Sequence, residues 1–132
     1  MELAFPDSWT HRHLLGLEHL TAEEISLILD IAETLAEEYN QTKRKLSLLN
    51  GCTVANLFFE NSTRTRNSFS LAAKRLGADT IEFSASGSSV SKGETFIDTA
   101  KTIEAMGADA VVTRHATPGA SYLLPSIWIV LY

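Results

Sequence analysis

The sequence predicts an α/β domain in which a parallel sheet of βαβαβ units carries flanking helices. Three apolar, β-favouring segments, at 53–59, 80–83 and 110–113, alternate with two amphipathic helical segments. The connections between them are short, which favours right-handed crossovers and parallel strands. The first segment is apolar almost without interruption, as is typical of a strand that is covered on both faces.

A helix is predicted to precede the first strand. Residues 21–24 (TAEE) have the form of a capping box, in which the Thr21 hydroxyl and the Glu24 side chain each accept from the other's backbone amide. Apolar residues then recur at three- and four-residue spacing up to about Tyr39, opposite acidic residues. These apolar residues are Ile25, Ile28, Leu29, Ala32 and Leu35. Residues 41–51 are polar, with a basic cluster at 43–45, and are predicted to form a solvated connection.

Two further helices are predicted between the strands. The first follows a polar turn at 60–62, runs from about Thr63 to Leu76 and ends at Gly77. Its inward residues are expected to be Phe69, Ala72, Ala73 and Leu76. The second follows a long polar loop and a second capping pattern, SKGE at 91–94, and ends at Gly107. Its apolar residues are Phe96, Ile97, Ala100, Ile103 and Met106.

Length, charge and cysteine content limit the functional classes. A chain of 132 residues with 45% apolar residues is long enough for one compact domain with a core. Its net charge of −5 argues against nucleic acid or an anionic membrane as a partner. The single cysteine, Cys52, cannot form an intrachain disulfide, and its apolar neighbours indicate a buried, inert thiol in a reducing compartment. We therefore expect a cytoplasmic protein.

Neither end of the sequence has the pattern of a targeting or membrane segment. The first ten residues lack the basic stretch and apolar run of a secretory signal. Residues 122–132 are strongly apolar but amount to about half of the roughly 20 residues that a membrane span needs. We therefore expect no segment that crosses a bilayer.

The predicted topology locates a binding site. In an open parallel sheet, ligands bind beyond the carboxyl ends of the strands, where the strand-to-helix loops collect. Three polar segments follow the predicted strands, at 62–66, 84–92 and 114–115, and each supplies at least one cation in an acidic chain. The sequence therefore predicts an anion pocket at this edge of the sheet.

The first of these loops places hydroxyl and guanidinium groups on the first turn of a helix. Free amides and the positive end of the helix dipole favour a phosphate there. Ser62 and Thr63 offer hydroxyl and backbone donors, and Arg64 can clamp a phosphate through its forked guanidinium. Arg66 lies about 200° further round the helix, so we assign it mainly to structure. The alternative is that the hydroxyls only cap the helix and the arginines only face solvent.

The second loop, 84–92, is serine-rich and could be a flexible connector. It is not a nucleotide P-loop, because Lys92 stands between Ser91 and Gly93 rather than between glycine and a hydroxyl residue. The sequence also contains no Gly-x-Gly-x-x-Gly. We interpret the loop as a mobile lid that brings hydroxyls and one ammonium group to an anion.

Several segments resemble the aspartate/ornithine carbamoyltransferase family. Residues 58–69 (FFENSTRTRNSF) look like its carbamoyl-phosphate signature, with Asn61 where many members have proline. Residues 88–95 (SSVSKGET) are similar to the loop that a neighbouring subunit lends to the active site in the aspartate branch. Residues 110–115 (AVVTRH) resemble the third binding segment, and residues 14–21 (LLGLEHLT) fit the first helix. The resemblance covers roughly residues 12–121, and the Lys-Gly-Glu-Thr sequence favours aspartate as the second substrate.

The resemblance implies the fold of the carbamoyltransferase N-terminal domain and a carbamoyl transfer from carbamoyl phosphate to the amine of L-aspartate, in pyrimidine biosynthesis. It implies no metal or organic cofactor, and a homotrimer with regulatory or dihydroorotase chains as further partners. Arg64, Thr65 and Arg114 would be catalytic, with Thr65 and Arg114 near the carbonyl oxygen. Ser88 and Lys92 would act in the neighbouring subunit, where Lys92 would also contact aspartate. The residues that would bind carbamoyl phosphate are Ser62, Thr63, Arg64, Thr65 and Arg114.

The sequence also departs from the family pattern. Members continue with a His-Pro-x-x-Gln segment and a second domain that holds aspartate, whereas here the resemblance ends after Ser121. We expect an incomplete domain at 1–121, a divergent apolar tail at 122–132, and no activity from this truncated chain alone. Two alternatives stay open: an ornithine carbamoyltransferase-like enzyme, and a non-catalytic phosphate-binding or assembly fragment. His11, His13 and His19 have no evident carboxylate partners and are expected at the surface, without a metal.

Overall fold

The computed structural model describes residues 3, 5, 8–58, 63–84, 95–113 and 127–131. All four strands run parallel in one sheet, in the order β2-β1-β3-β4. The predicted α/β fold is confirmed, and β4 is an element that the sequence did not predict. Among the described residues, no helix has the length and apolar content needed to cross a membrane. The elements are α1 (Ala22–Thr42), β1 (Thr53–Phe58), α2 (Thr63–Arg75), β2 (Asp79–Ser84), α3 (Thr95–Ala105), β3 (Ala110–Thr113) and β4 (Trp128–Leu131).

Helix α1 begins with the predicted capping box. The Thr21 hydroxyl accepts from the Glu24 amide at 3.1 Å, and Glu24 Oε1 accepts from the Thr21 amide at 2.8 Å. The second bond is the largest of the causes that hold the pKa of Glu24 below its ordinary value. At the other end, Lys43 adopts a left-handed conformation with φ 55°, and its amide donates to the Tyr39 carbonyl. The helix therefore extends three residues beyond the predicted end at Tyr39.

Strand β1 lies at the centre of the sheet, between β2 and β3. Residues 54–58 are all buried, because side chains on one face pack against α3 and those on the other face pack against α2. This burial on both faces explains the nearly continuous apolar run. The buried cluster on the α3 side is Ala55, Leu57, Ala100, Ile103, Ala108, Val111, Ile127 and Ile129. The buried cluster on the α2 side is Val54, Phe58, Ala73, Ala78 and Val112.

Three residues that were predicted to be buried are not buried. Ala72 is exposed, and Ser70 is buried instead, because the face of α2 that meets the sheet is centred on Ser70 and Ala73. Met106 is 53% exposed, because it lies just beyond the last residue of α3, next to Gly107, where the chain turns with φ 80°. Cys52 is half-buried rather than buried. For α2 and α3, the apolar periodicity identified the helix but misplaced part of its inner face.

Strand β4 comes from the apolar segment near the end of the chain. Its four residues pair with β3, from Ala110 opposite Trp128 to Thr113 opposite Leu131. Ile127 and Ile129 are 2% and 1% exposed and belong to the core on the α3 side. The alternation that directs these isoleucines inward is that of a strand, so the described part of the apolar segment is an integral part of the sheet.

The segment before α1 lies along the free edge of β4. The Leu14 amide donates to the Ile129 carbonyl at 2.8 Å, and His13 Nδ1 accepts from the Ile129 amide at 3.0 Å. The Arg12 guanidinium lies 5.4 Å from the centre of the Trp128 ring. An unpaired edge is a site of unwanted strand pairing, and these contacts occupy part of it.

The predictions about the histidines are wrong in two respects: one side chain is not at the surface, and two side chains have carboxylate neighbours. His13 is half-buried against β4 rather than at the surface. His11 Nε2 lies 2.9 Å from Glu24 Oε2, and His19 Nε2 lies 3.7 Å from Glu18 Oε1, so both have carboxylate neighbours. Sequence spacing did not indicate the first pair, because the chain turns back between residues 11 and 24. In the part of the chain that the structure describes, no three His, Cys, Asp or Glu side chains are grouped to hold a metal.

The contact between His13 and Ile129 predicts a pH-dependent stability. Burial, and then the nearby charge of Arg12, lower the pKa of His13 below its ordinary value of 6.5. Its Nδ1 must be unprotonated to accept from the amide. The unfolded chain therefore binds more protons below about pH 6.5, and the free energy of unfolding falls as the pH drops through that value. We expect the melting temperature to fall more steeply between pH 7 and pH 5 in the wild-type chain than in His13→Asn.

Thermal unfolding followed by circular dichroism measures this difference. His19→Asn is the matched control, because that side chain is 79% exposed and, in the described part of the chain, has an ion-pair contact with its neighbour Glu18 alone. If His13→Asn and His19→Asn show the same pH dependence as the wild type, the contact with β4 has no role in acid sensitivity.

Candidate functional site

The strand order places a binding crevice at the carboxyl ends of β1 and β3. The chain leaves β1 towards β2 on one side and continues from β3 towards β4 on the other. Connections that diverge in this way leave a crevice between the two strands, where open α/β sheets bind their ligands. Strand β1 ends at Phe58 and β3 ends at Thr113, and in the sequence each precedes one of the polar segments predicted to bind the anion. The topology thus agrees with the predicted position of the anion pocket.

The first turn of α2 supplies the described part of this site. Thr63, Arg64 and Thr65 occupy that turn, and it contains no acidic residue. The first amides of a helix lack intrahelical partners, and the helix dipole adds positive potential at the same end. Both effects favour an anion, and the turn itself carries no carboxylate that would cancel them. The helix therefore presents an electropositive end at the carboxyl edge of the central strand.

The two arginines in the first turn of α2 have different surroundings. Arg64 is exposed, whereas Arg66 is half-buried. Arg66 lies on the same side of α2 as the buried residues Ser70 and Ala73, four and seven positions further on, and therefore on the side that faces the sheet. Within the described ranges, neither guanidinium forms an ion pair or a hydrogen bond. In the first turn of α2, Arg64 is consequently the exposed cation that a ligand in solution can reach.

Aromatic packing holds α2 in place on β1. The rings of Phe58, at the end of the strand, and Phe69, in the middle of the helix, have centroids 6.3 Å apart. Ala73 and Ser70 continue the same contact surface towards the end of the helix. Because the helix is fixed along its inner side, its first turn has a defined position relative to the carboxyl end of β1.

Four of the seven predicted site residues lie outside the residues that the structure describes. Of the seven, the structure places Thr63, Arg64 and Thr65, and it brings these three together on one helical turn. Strand β2 ends at Ser84 and α3 begins at Thr95, so the serine-rich loop starts at the same edge of the sheet. The residues not described are Ser62, Ser88, Lys92 and Arg114.

A buried polar residue that was not predicted from the sequence lies near this site. Asn56 lies two residues before the end of β1 and is fully buried. Its Nδ2 donates to Glu82 Oε1 of β2 at 3.2 Å, and its Oδ1 has no hydrogen-bond partner among the described residues. The signal that could have revealed it is a single amide side chain within an apolar strand. The bond to Glu82 joins β1 to β2, and its loss would leave the buried Nδ2 unpaired, which is costly.

Comparison with known proteins identifies the family of the chain. The family model described as the carbamoyl-P binding domain of aspartate/ornithine carbamoyltransferase matches residues 12–125. The aspartate carbamoyltransferase catalytic subunit of Rhodopirellula baltica is 68% identical over 123 residues, and that of Rhodospirillum centenum is 58% identical over 123 residues. These alignments cover 93% of this chain but only 36% and 37% of the two relatives. The chain therefore spans about a third of the length of the curated relatives that it matches.

Solved structures show the same relationship. The catalytic subunit of M. jannaschii aspartate transcarbamoylase is 42% identical with a TM-score of 0.77, over 92% of this chain and 40% of that one. Aspartate transcarbamoylase from Trypanosoma cruzi, in complex with carbamoyl phosphate, is 30% identical with a TM-score of 0.80, over 99% and 43% of the two chains. The family match covers most of the sequence, and the sheet and first-turn geometry agree with it. The chain belongs to the aspartate/ornithine carbamoyltransferase family, within its carbamoyl-phosphate-binding domain.

Proposed function

We propose that this chain is the carbamoyl-phosphate-binding part of an aspartate carbamoyltransferase. The complete enzyme would transfer a carbamoyl group to the amine of L-aspartate, giving N-carbamoyl-L-aspartate and phosphate in pyrimidine biosynthesis. The observation that carries the proposal is the first turn of α2, which contains Thr63, Arg64 and Thr65 and no acidic residue of its own. Relatives named aspartate carbamoyltransferase support aspartate as the acceptor.

The proposed chemistry is positioning and electrostatic stabilisation. The amine of aspartate attacks the carbamoyl carbon and loses a proton, a C–N bond forms, and the C–O bond to phosphate breaks. Negative charge first grows on the carbonyl oxygen, which Thr65 and Arg114 would stabilise. It then develops on the departing phosphate, which the helix terminus and Arg64 would hold with Ser62 and Thr63. This mechanism requires no metal or organic cofactor.

The complete enzyme is proposed to be a cytoplasmic homotrimer, with regulatory or dihydroorotase chains as further partners. Ser88 and Lys92 would complete the pocket of the neighbouring subunit, and Lys92 would contact both phosphate and aspartate. We propose that residues 1–121 belong to the carbamoyl-phosphate-binding domain, which is incomplete, and that residues 122–132 form a divergent tail, to which β4 belongs. Nucleic acids and membranes are not proposed partners, since the net charge of −5 disfavours both.

Lys92→Ala tests whether Lys92 acts in the neighbouring subunit. In a monomeric preparation of the 132-residue chain we expect the affinity for phosphate to be unchanged, because the target of this ammonium group lies in another subunit. Calorimetric titration with phosphate measures the affinity, and analytical ultracentrifugation verifies that the protein is monomeric. A clear loss of affinity in the monomer would mean that Lys92 binds the anion of its own chain, contrary to the proposal.

A full-length chimera tests the proposed function itself. Residues 1–121 are continued by the remaining two-thirds of the Rhodopirellula baltica relative, which is 68% identical in the shared region. We expect this chimera to form carbamoyl aspartate. A parallel chimera with the corresponding part of an ornithine carbamoyltransferase should not form citrulline, because Lys92 and its Gly-Glu-Thr context suit aspartate. Activity of the second chimera alone would favour the ornithine alternative. Binding of phosphate with neither activity would favour a non-catalytic fragment.

A further inference from the structure

A short segment before α1, residues 11–14, forms a strap between α1 and the edge strand β4. Its two ends are held by different elements. At one end, His11 Nε2 lies 2.9 Å from Glu24 Oε2 in the first turn of α1. At the other end, the Leu14 amide donates to the Ile129 carbonyl of β4 at 2.8 Å. The strap therefore joins α1 to the edge of the sheet.

The strap covers only part of the β4 edge. Its two hydrogen bonds to the strand both involve Ile129, which donates to His13 Nδ1 and accepts from the Leu14 amide. Alternate residues of a strand turn their backbone groups to the same side, so Leu131 also presents its amide and carbonyl at this edge. Among the described residues, the strap forms no hydrogen bond with Leu131. Loss of the two bonds to Ile129 would therefore open the edge of β4.

The edge under the strap is suited to strand pairing. Residues 126–132 (SIWIVLY) are mostly β-favouring and contain no charged residue, proline or glycine. The Trp128 side chain is 44% exposed, so a further strand beside β4 would bury more of it. Edge strands of soluble proteins usually carry a lysine or a proline that opposes pairing with another chain, and β4 has neither. The strap is therefore the described feature that keeps this edge from pairing.

A second copy of this chain is the partner that fits the edge. Two identical edges related by a two-fold axis pair antiparallel, which would join the two sheets into one of eight strands, four from each copy. No side chain of β4 carries a charge that would repel its counterpart. We propose that displacement of the strap at 11–14 lets β4 pair with β4 of a second copy. The proposal does not rest on the proposed activity.

Protonation of His13 should open the strap at its β4 end. Its Nδ1 accepts the Ile129 amide only while it is unprotonated, so the closed strap loses stability as the pH falls below about 6.5. Each pH unit between that value and the lowered pKa of His13 weakens the closed strap by up to about tenfold. His11 instead gains a charge opposite Glu24, so the α1 end stays anchored. The other described ionisable groups on the strap and on the elements beside it are Arg12, Glu18, His19 and Asp109.

Sedimentation velocity at pH 7 tests the role of the strap without acid. The wild-type 132-residue chain should be monomeric. His13→Ala removes one of the two hydrogen bonds to β4 and Leu14→Pro removes the other, so each variant should shift towards a dimer at the same concentration. His19→Ala is the matched control and should stay monomeric, because that side chain is 79% exposed. Far-ultraviolet circular dichroism verifies that each variant keeps its fold, and His13→Ala serves alone if Leu14→Pro does not.

Acid provides a reversible form of the same test. Between pH 7 and pH 5 the wild-type chain should shift from monomer to dimer, and the shift should reverse when the pH is restored. His13→Asn should remove most of the shift, because its side-chain carbonyl can accept the Ile129 amide at either pH. His19→Asn removes an equivalent charge from an exposed position and should leave the shift unchanged.

A charge placed on β4 identifies the pairing surface. In the His13→Ala background, Trp128→Lys should abolish the dimer, since a lysine on an edge strand opposes pairing. Leu71→Lys, at a similarly exposed apolar position on α2, should leave the dimer intact. Folded His13→Ala that stays monomeric, or an acid shift that is equal in His13→Asn and the wild type, would overturn the proposal. A dimer that is lost in Leu71→Lys but kept in Trp128→Lys would place the contact elsewhere and overturn it too.

Discussion

The 132-residue chain alone is expected to form no measurable carbamoyl aspartate. Carbamoyl transfer requires two substrates in attack geometry, and that arrangement can contribute about 7–11 kcal/mol when both partners are held. The described site offers a place for one anion, at the first turn of α2. The sequence also lacks the His-Pro-x-x-Gln segment of the family, and oxyanion donors of that kind contribute about 2.7–4 kcal/mol each. Together these losses lower the rate by many orders of magnitude.

The measurement is carbamoyl aspartate formation by the purified chain, compared with the chimera that carries the remaining two-thirds of the Rhodopirellula baltica relative. Arg64→Ala in the same preparation is the control for contaminating enzyme, since a contaminant would be insensitive to it. If the isolated chain is active and Arg64→Ala abolishes that activity, the site is more complete than the one proposed.

Arg64→Ala is expected to remove most of the affinity of the chain for phosphate and carbamoyl phosphate. Hydrogen bonds to charged groups contribute about 1.5–3 kcal/mol, which corresponds to roughly one to two orders of magnitude in the dissociation constant. The loss of stability should be small, because Arg64 is exposed and has no ion pair within the described ranges. Calorimetric titration at low ionic strength measures the affinity, since salt screens exposed charges.

Arg66→Ala is the matched control, because it removes the same charge from the same helix. Arg66 is half-buried on the side of α2 that faces the sheet, so its removal should change anion affinity much less. Equal losses in the two variants would mean that only net charge matters. Unchanged affinity in Arg64→Ala would mean that this guanidinium does not contact the ligand.

The parallel sheet and its helices were predictable because their signals are local. The capping box at Thr21 and the glycine at position 77 mark helix ends, and the buried run of β1 has the length and composition of a central strand. The first turn of α2 was also predictable, since a run of hydroxyl and guanidinium residues after a strand indicates a phosphate-binding helix end. The structure begins this helix at the predicted Thr63.

Features that depend on contacts distant in sequence were not predictable. Periodicity shows that α1 has one apolar face but not what covers it, and Leu29 consequently proved to be largely exposed. Strand β4 is recognisable only through its pairing with β3, since a short apolar segment is compatible with several structures. The contact of His13 with Ile129 spans 116 residues and the bond from Asn56 to Glu82 spans 26, so neither leaves a local signal.

The most direct test of the account is to locate carbamoyl phosphate on the chain by NMR. The ligand is titrated into ¹⁵N-labelled protein, and the amide shifts are assigned along the sequence. The amides of Thr63, Arg64 and Thr65 should move first and by the largest amounts, and Arg64→Ala should suppress these changes. The amides of the basic cluster at 43–45 should remain unchanged, since Lys43 follows the carboxyl end of α1, where the dipole disfavours anions. Saturable shifts centred on residues 43–45, with none at the first turn of α2, would contradict the account.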